Sequence, residues 1–267
     1  MAKPRDPSEE WANYLLRGLD RISLWQRAFF RLLPHDPRCK LCNVPFKGLG
    51  GSVLNLAGFG PSSKNPRFCN ICELYARQHR GGVEVPMSFL FADVRGSTAL
   101  AERMPPEEFS RLINRFFRAA NRVIIERDAF VDKLVGDEVV AFFPPFLGGH
   151  ARVAIETARR LLEVTGHGSP EGHWIPVGIG VHSGRAYYGV VGSEETVTDI
   201  TALGDDVNVT ARLAALASAG EVLVSDAAAA ASGLDLSAYE HRALELRGRA
   251  GPIGVRVIRL PAAVPAA

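Results

Sequence analysis

An almost wholly apolar segment, Met87 to Ala92, stops abruptly at a carboxylate, Asp93. A stretch of that kind is buried on both faces, so it belongs inside a sheet and not on its edge. A charge at its end needs a partner of its own. Regular elements follow in a readable order. Pro105-Pro106-Glu107-Glu108 opens a long amphipathic helix that runs to about Asp128. Strands over about 130–135 and 139–143 are joined by a tight turn at Gly136-Asp137, and a second helix covers roughly 149–164. A hairpin is expected over Ile175 to Val191, a third helix from Asp206 to Ser218 stopped by Gly220, and a strand from Glu221 to Ser225. Two short strands near Leu244 and Val255 end the series. The order strand, helix, strand, strand, helix, strand predicts a split ferredoxin-like α+β unit, a sheet with its helices largely on one face.

Ahead of this unit the pattern changes twice. From Ser8 to Leu33 the apolar residues Trp11, Leu15, Ile22, Trp25, Phe29 and Leu33 recur at helical spacings while arginines take other positions. That predicts one amphipathic helix, ended at Pro34. Its apolar face is expected to pack on its own protein or on a second copy; contact with a membrane surface is the less favoured reading. Residues 34–82 are rich in Gly, Pro, Ser, Asn and Cys, and Arg80-Gly81-Gly82 reads as a hinge. The expected organisation is a helix within 1–36, a four-cysteine module over 37–83 and a larger domain over 84–262.

The four cysteines fall as two close pairs, Cys39-Lys40-Leu41-Cys42 and Cys69-Asn70-Ile71-Cys72. Each CxxC bites one metal ion, and two complete a tetrahedral thiolate site. Structural Zn²⁺ is the first reading, because closed four-cysteine sites stabilise small loop-rich folds. An iron–sulfur cluster uses the same ligands and is the alternative, since the separation of the pairs is longer than in a usual zinc ribbon. Paired cysteines of this kind belong to a reducing compartment, and the N-terminal residues carry neither a signal peptide nor an apolar span, so the expected location is cytoplasmic. A formal net charge of +2 gives no field that would favour nucleic acid, and none is expected as a partner.

A second carboxylate, Asp137, lies in the turn of Lys133-Leu134-Val135-Gly136-Asp137-Glu138, between two apolar strands that should neighbour the first. Asp is a common turn former, so Asp137 alone says little. Paired with Asp93 at one sheet edge it calls for a divalent cation between like charges. Strand alternation is expected to turn the adjacent Glu138 to the opposite face.

These segments resemble the two metal-binding signatures of class III adenylate and guanylate cyclases: Phe91-Ala92-Asp93-Val94-Arg95-Gly96-Ser97-Thr98 and Lys133-Leu134-Val135-Gly136-Asp137. Leu203-Gly204-Asp205-Asp206-Val207-Asn208-Val209-Thr210-Ala211-Arg212-Leu213 is similar to a third, the family's Asn and Arg helix. The likeness covers roughly residues 84–260. It implies cyclisation of ATP to 3′,5′-cyclic AMP, with Asp93, Asp137 and the Val94 carbonyl holding two Mg²⁺ or Mn²⁺ ions; a guanylate cyclase, or a catalytically silent nucleotide-binding or metal-sensing regulatory protein, is the alternative. Asn208 would orient the ribose and Arg212 stabilise charge on the α-phosphate. Arg247 stands where the family usually has a triphosphate-binding lysine; the charge is kept but the two side chains are not interchangeable. Lys133 and Thr201 would read the purine, a pair that resembles bacterial-type adenylate cyclases more than guanylate cyclases, with Asp199 a second candidate. The family's sites form across a head-to-tail pair of chains, and all the motifs are present in this one, which implies a homodimer with two composite sites.

Overall fold

A computed structural model of the chain describes residues 6–17, 24–33, 37–62, 68–192, 199–246, 248–249 and 251–261. Its elements run α1 (Pro7–Arg17), α2 (Leu24–Leu32), α3 (Gly48–Leu54), a π-helical turn (Asn55–Phe59), α4 (Asn70–Gln78), β1 (Gly82–Val94), α5 (Ser97–Arg103), α6 (Pro106–Glu126), β2 (Phe130–Val135) and β3 (Glu138–Phe143). They continue with a 3₁₀ turn (Pro145–Leu147), α7 (His150–Val164), β4 (Val177–Val191), β5 (Asp199–Leu203), α8 (Asp205–Leu216), β6 (Val222–Ser225), α9 (Asp226–Ser232), β7 (Glu240–Leu244) and β8 (Ile253–Ile258). Two compact units result: the chain up to Pro86 with Pro144–Phe146 and Arg185–Gly204, and the remainder.

In the second unit the sheet order is β2-β3-β1-β4-β6-β8-β7. Its first four strands, with α6 and α7 as the crossovers, make the split ferredoxin-like unit that the element order predicts. The sheet separates two apolar layers by strand alternation. Val222 and Val224 of β6 face a core that also holds Phe116 of α6 and Leu161 of α7, whereas Leu223 faces Val209 and Leu213 of α8. So α8 covers the opposite face, while α5, α6, α7 and α9 pack on the first, in keeping with helices that lie largely on one side.

The expected hairpin over 175–191 is instead one long strand, β4. Its glycines serve packing and not a turn. A Cβ at Gly180 would lie 2.5 Å from the Ala214 nitrogen, and one at Gly178 would lie 2.6 Å from the Ala217 oxygen. Gly184 likewise makes room for Asp206, a carboxylate held at 3.0 Å by Nε2 of His182. Glycine is needed here so that α8 can lie directly on the strand.

A buried histidine gives this unit a pH response. His167 accepts a hydrogen bond from the Val177 N–H at 3.1 Å and stacks on His173 with ring centroids 4.6 Å apart. Burial, with the neighbouring His173 adding to it, pushes its pKa down to about 4. The unfolded chain therefore binds the extra proton first, so this contribution to stability is complete above the ordinary histidine range near 6.5 and is lost as pH falls toward 4. The full loss is on the order of 3 kcal/mol. Denaturant unfolding at pH 7 and pH 4.5 is expected to show a smaller drop for His167→Gln, which keeps an acceptor for Val177; an equal drop in both proteins would refute the assignment.

In the first unit Trp11 anchors the packing. Its ring meets Tyr14, Tyr75 and Tyr188 edge-on at 5.9, 5.7 and 6.0 Å, and its indole N–H donates to the His79 carbonyl at 2.7 Å. The single N-terminal stripe read from the sequence does not hold throughout: helix covers 7–17 and 24–32, Ile22 lies outside the described residues, Phe30 is buried, and Trp25 is 84% exposed. The open end of β4 pairs antiparallel with β5, Tyr187 opposite Leu203 and Val191 opposite Asp199.

Candidate active site

The carboxylates gather where β1 ends and β2 turns into β3. Antiparallel pairing sets Asp93 directly opposite Glu138, so these two side chains share a face. Asp137 sits one residue earlier, in the turn. The expectation that Glu138 points away is thereby corrected: alternation holds along a strand, and Asp137 is not in one. The crowding is legible electrostatically. Burial, and then the charge of Asp137, pushes the Glu138 carboxyl up to about 7.

Among the described residues, Arg95 supplies a cation beside this group. Its guanidinium pairs with Asp93, and it donates to the Ala215 carbonyl of α8 at 3.0 Å. Burial lowers its pKa, and the charges of Asp137 and Glu138 work against that. Nothing local in the sequence assigns Arg95 this role. Carboxylate oxygens are the donors that Mg²⁺ or Mn²⁺ takes, and the like charges of Asp137 and Glu138 felt here are of the kind such an ion offsets.

The substrate residues proposed from the sequence fall into separate groups. On β2 the register slips between Val131 and Lys133, so that Asp132 is turned inward and Lys133 stays 39% exposed. A bulge of this kind re-aims one side chain of a strand. On α8 the buried positions are Val209, Thr210, Leu213 and Ala214, leaving Asn208 exposed and Arg212 half-buried, one turn apart. Thr201, on β5 in the first unit, is 4% exposed. Asp199, two residues earlier, is 3.3 Å from the ammonium of Lys40. Arg247 lies outside the described residues.

A second centre lies within the first unit. The sulfurs of Cys39, Cys42, Cys69 and Cys72 lie within 4.8 Å of one another, and all four residues are buried. The Cys69 N–H donates to Cys39 Sγ at 3.2 Å and the Cys72 N–H to Cys69 Sγ at 3.4 Å. Burial opposes ionisation of Cys39, yet hydrogen bonds from the other three thiols hold it well below the usual thiol range. Cys42 and Cys72 are pushed well above that range, chiefly by their hydrogen bonds to Cys39. The donor set, four convergent thiols with two backbone N–H groups aimed at sulfur, fits a thiolate-bound metal.

Residues 83–256 match the model of the adenylate and guanylate cyclase catalytic domain, and the chain belongs to that family. It is 34% identical over 139 residues to an adenylate cyclase of Anabaena cylindrica, covering 49% of this chain and 27% of the relative. Its fold is similar to the adenylyl cyclase CyaB of P. aeruginosa (TM-score 0.56, 23% identity, 66% of this chain and 94% of that one). It is also similar to the guanylate cyclase domain of RhGC from Catenaria anguillulae (TM-score 0.56, 20% identity, 66% and 98%). The chain spans about a quarter to a third of the length of the curated relatives it matches. Among the described residues no helix is long and apolar enough to cross a membrane.

Proposed function

We propose that this chain is an adenylate cyclase, converting ATP to 3′,5′-cyclic AMP and pyrophosphate in a head-to-tail homodimer. The observation that carries the choice of ATP is Lys133, which the bulge at Asp132 leaves outward-facing on β2. A lysine donating to adenine N1, with the Thr201 hydroxyl accepting from the 6-amino group, leaves polar groups unpaired when guanine is offered.

In this reading the carboxylates of Asp93 and Asp137, with the Val94 carbonyl, hold the divalent ions. Two bound cations supply charge neutralisation along the triphosphate and a lowered pKa for the 3′-hydroxyl. Asn208 fixes the ribose so that the 3′-oxygen stands in line with the α-phosphorus and the P–O bond to pyrophosphate. The Arg212 guanidinium takes up charge on the α-phosphate, and Arg247 grips the terminal phosphates. Asp199, whose carboxylate the Lys40 ammonium and the Ile200 N–H hold, ranks behind Thr201 for contact with the base.

A distance along α8 supports the dimer in this reading. Arg95 joins Asp93 to the Ala215 carbonyl, at the C-terminal end of that helix. Asn208 stands seven residues nearer the N-terminus, about 10 Å of helix rise away. Asp93 and Asn208 of one chain are thus set apart, and a two-fold partner supplies the complement. At the four cysteines we place Zn²⁺, and a compartment that keeps thiols reduced, the cytoplasm, suits them.

The test is product formation with Mg²⁺ or Mn²⁺ and each nucleotide in turn. Cyclic AMP is expected from ATP at a kcat/KM at least about tenfold that for GTP, and Lys133→Glu should lower the ATP value by about a hundredfold. A preference for GTP, or an ATP value untouched by Lys133→Glu, would overturn the reading.

A further inference from the structure

The strand that carries Thr201 has an open edge, and the four-cysteine module closes it. Antiparallel pairing aligns Val190 with Ile200. The Val190 N–H donates to the Gly81 carbonyl at 2.8 Å, away from β5, so the two residues form a non-hydrogen-bonded pair. In such a pair the N–H and C=O of Ile200 both face outward. One charged couple satisfies them: the Asp199 carboxylate accepts from the Ile200 N–H at 2.9 Å, and the Lys40 ammonium donates to the Ile200 carbonyl while pairing with Asp199 at 3.3 Å.

Lys40 has little freedom to be elsewhere. It lies inside the first CxxC, and its side chain is 3% exposed. The turn around it is fixed by Cys39 N–H donating to Val44 O at 2.8 Å, Asn43 N–H donating to Cys39 O at 3.0 Å, and Asn43 in the left-handed region at φ 62°. The second cysteine pair adds a wall, since the Phe68 ring, next to Cys69, lies 5.9 Å from the ammonium. A buried ammonium so placed is held where its acceptors are.

We infer that Lys40 is a positioning residue for purine recognition: the four-cysteine knuckle, through the Lys40–Asp199 couple, sets the height of β5 and thereby of Thr201, the very next residue after Ile200. Base selectivity and metal occupancy at the cysteines are then coupled, and Asp199 is the strand's anchor. The inference rests on the proposed role of Thr201 in reading the base.

The experiment compares Lys40→Met, Lys40→Arg and Thr201→Ala, purified with their metal and checked for metal content, in steady-state kinetics with ATP and with GTP. Loss of a charged hydrogen-bond partner sets the expected size: Lys40→Met raises the ATP KM about tenfold and lowers the ATP-to-GTP ratio of kcat/KM by a similar factor. Lys40→Arg, which keeps the charge and the donors, restores most of both. A cap that only stabilised the fold would leave KM and the ratio alone. Where Lys40→Met does not retain metal, Lys40→Gln carries the same expectation, about threefold in size. Thr201→Ala shifting the ratio while the folded, metal-loaded Lys40 variant does not would overturn the positioning role alone. Neither variant shifting it would overturn the base-reading assignment and this inference with it.

Discussion

Alanine in place of Asp137 is expected to reduce cyclic AMP formation by about a thousandfold or more, equivalent to roughly 4 kcal/mol of transition-state stabilisation. The size follows from what surrounds it. In the proposed site Asp93 is already a ligand, and Glu138 is fixed on β3 and not in the turn, so no neighbouring carboxylate is placed to take over. The fold should survive, because Asp137 lies in the β2–β3 turn and is only half-buried; its removal opens no core cavity and relieves repulsion on Glu138. High-performance liquid chromatography of the nucleotide products, alongside a thermal melt, checks both halves. A variant that melts like the parent and keeps more than about a tenth of its rate would remove Asp137 from the metal site.

What the sequence could reveal depended on how local the cause was. The strand at 87–94, the helix opened by Pro106 and the β2–β3 turn each have their signals within a few residues, and they were readable. Gly178, Gly180 and Gly184 were not, because a glycine that admits a neighbouring helix looks the same as one that makes a turn; only the approach of α8 tells them apart. Alternation carried through Gly136-Asp137 misplaces Glu138, because those two residues are turn and not strand. The bulge at Asp132 left no trace in composition. Lys40 and Asp199 are 159 residues apart in the chain, and nothing in either neighbourhood announces the other. The cysteine pairs were legible as ligands, while their tie to β5 was a tertiary fact.

The second large effect should come from the cysteines. As free thiols the cluster is unfavourable: four sulfur atoms share one buried volume, with Cys39 drawn toward ionisation and Cys42 and Cys72 held protonated as its donors. A divalent ion replaces those shared protons and turns mutual repulsion into ligation, so binding energy becomes folding energy for the surrounding loops. Cys39→Ser removes the sulfur that accepts from the Cys69 N–H and organises the others, and should bring metal content from one ion per chain to near zero. A loss of even about 4 kcal/mol from the apparent binding energy would lower the melting temperature by roughly 10 °C for a chain of this size. Metal analysis of the parent and variant, with melts in the presence and absence of a strong chelator, measures this. Colourless protein with one zinc fits the first reading, and a brown protein with iron and sulfide would replace zinc by a cluster while leaving the ligands assigned. A parent protein isolated without metal, melting at the same temperature with chelator and as Cys39→Ser, would mean that the four thiols are packing residues. The coupling of the knuckle to β5 would then have to rest on the Lys40–Asp199 couple without help from an ion.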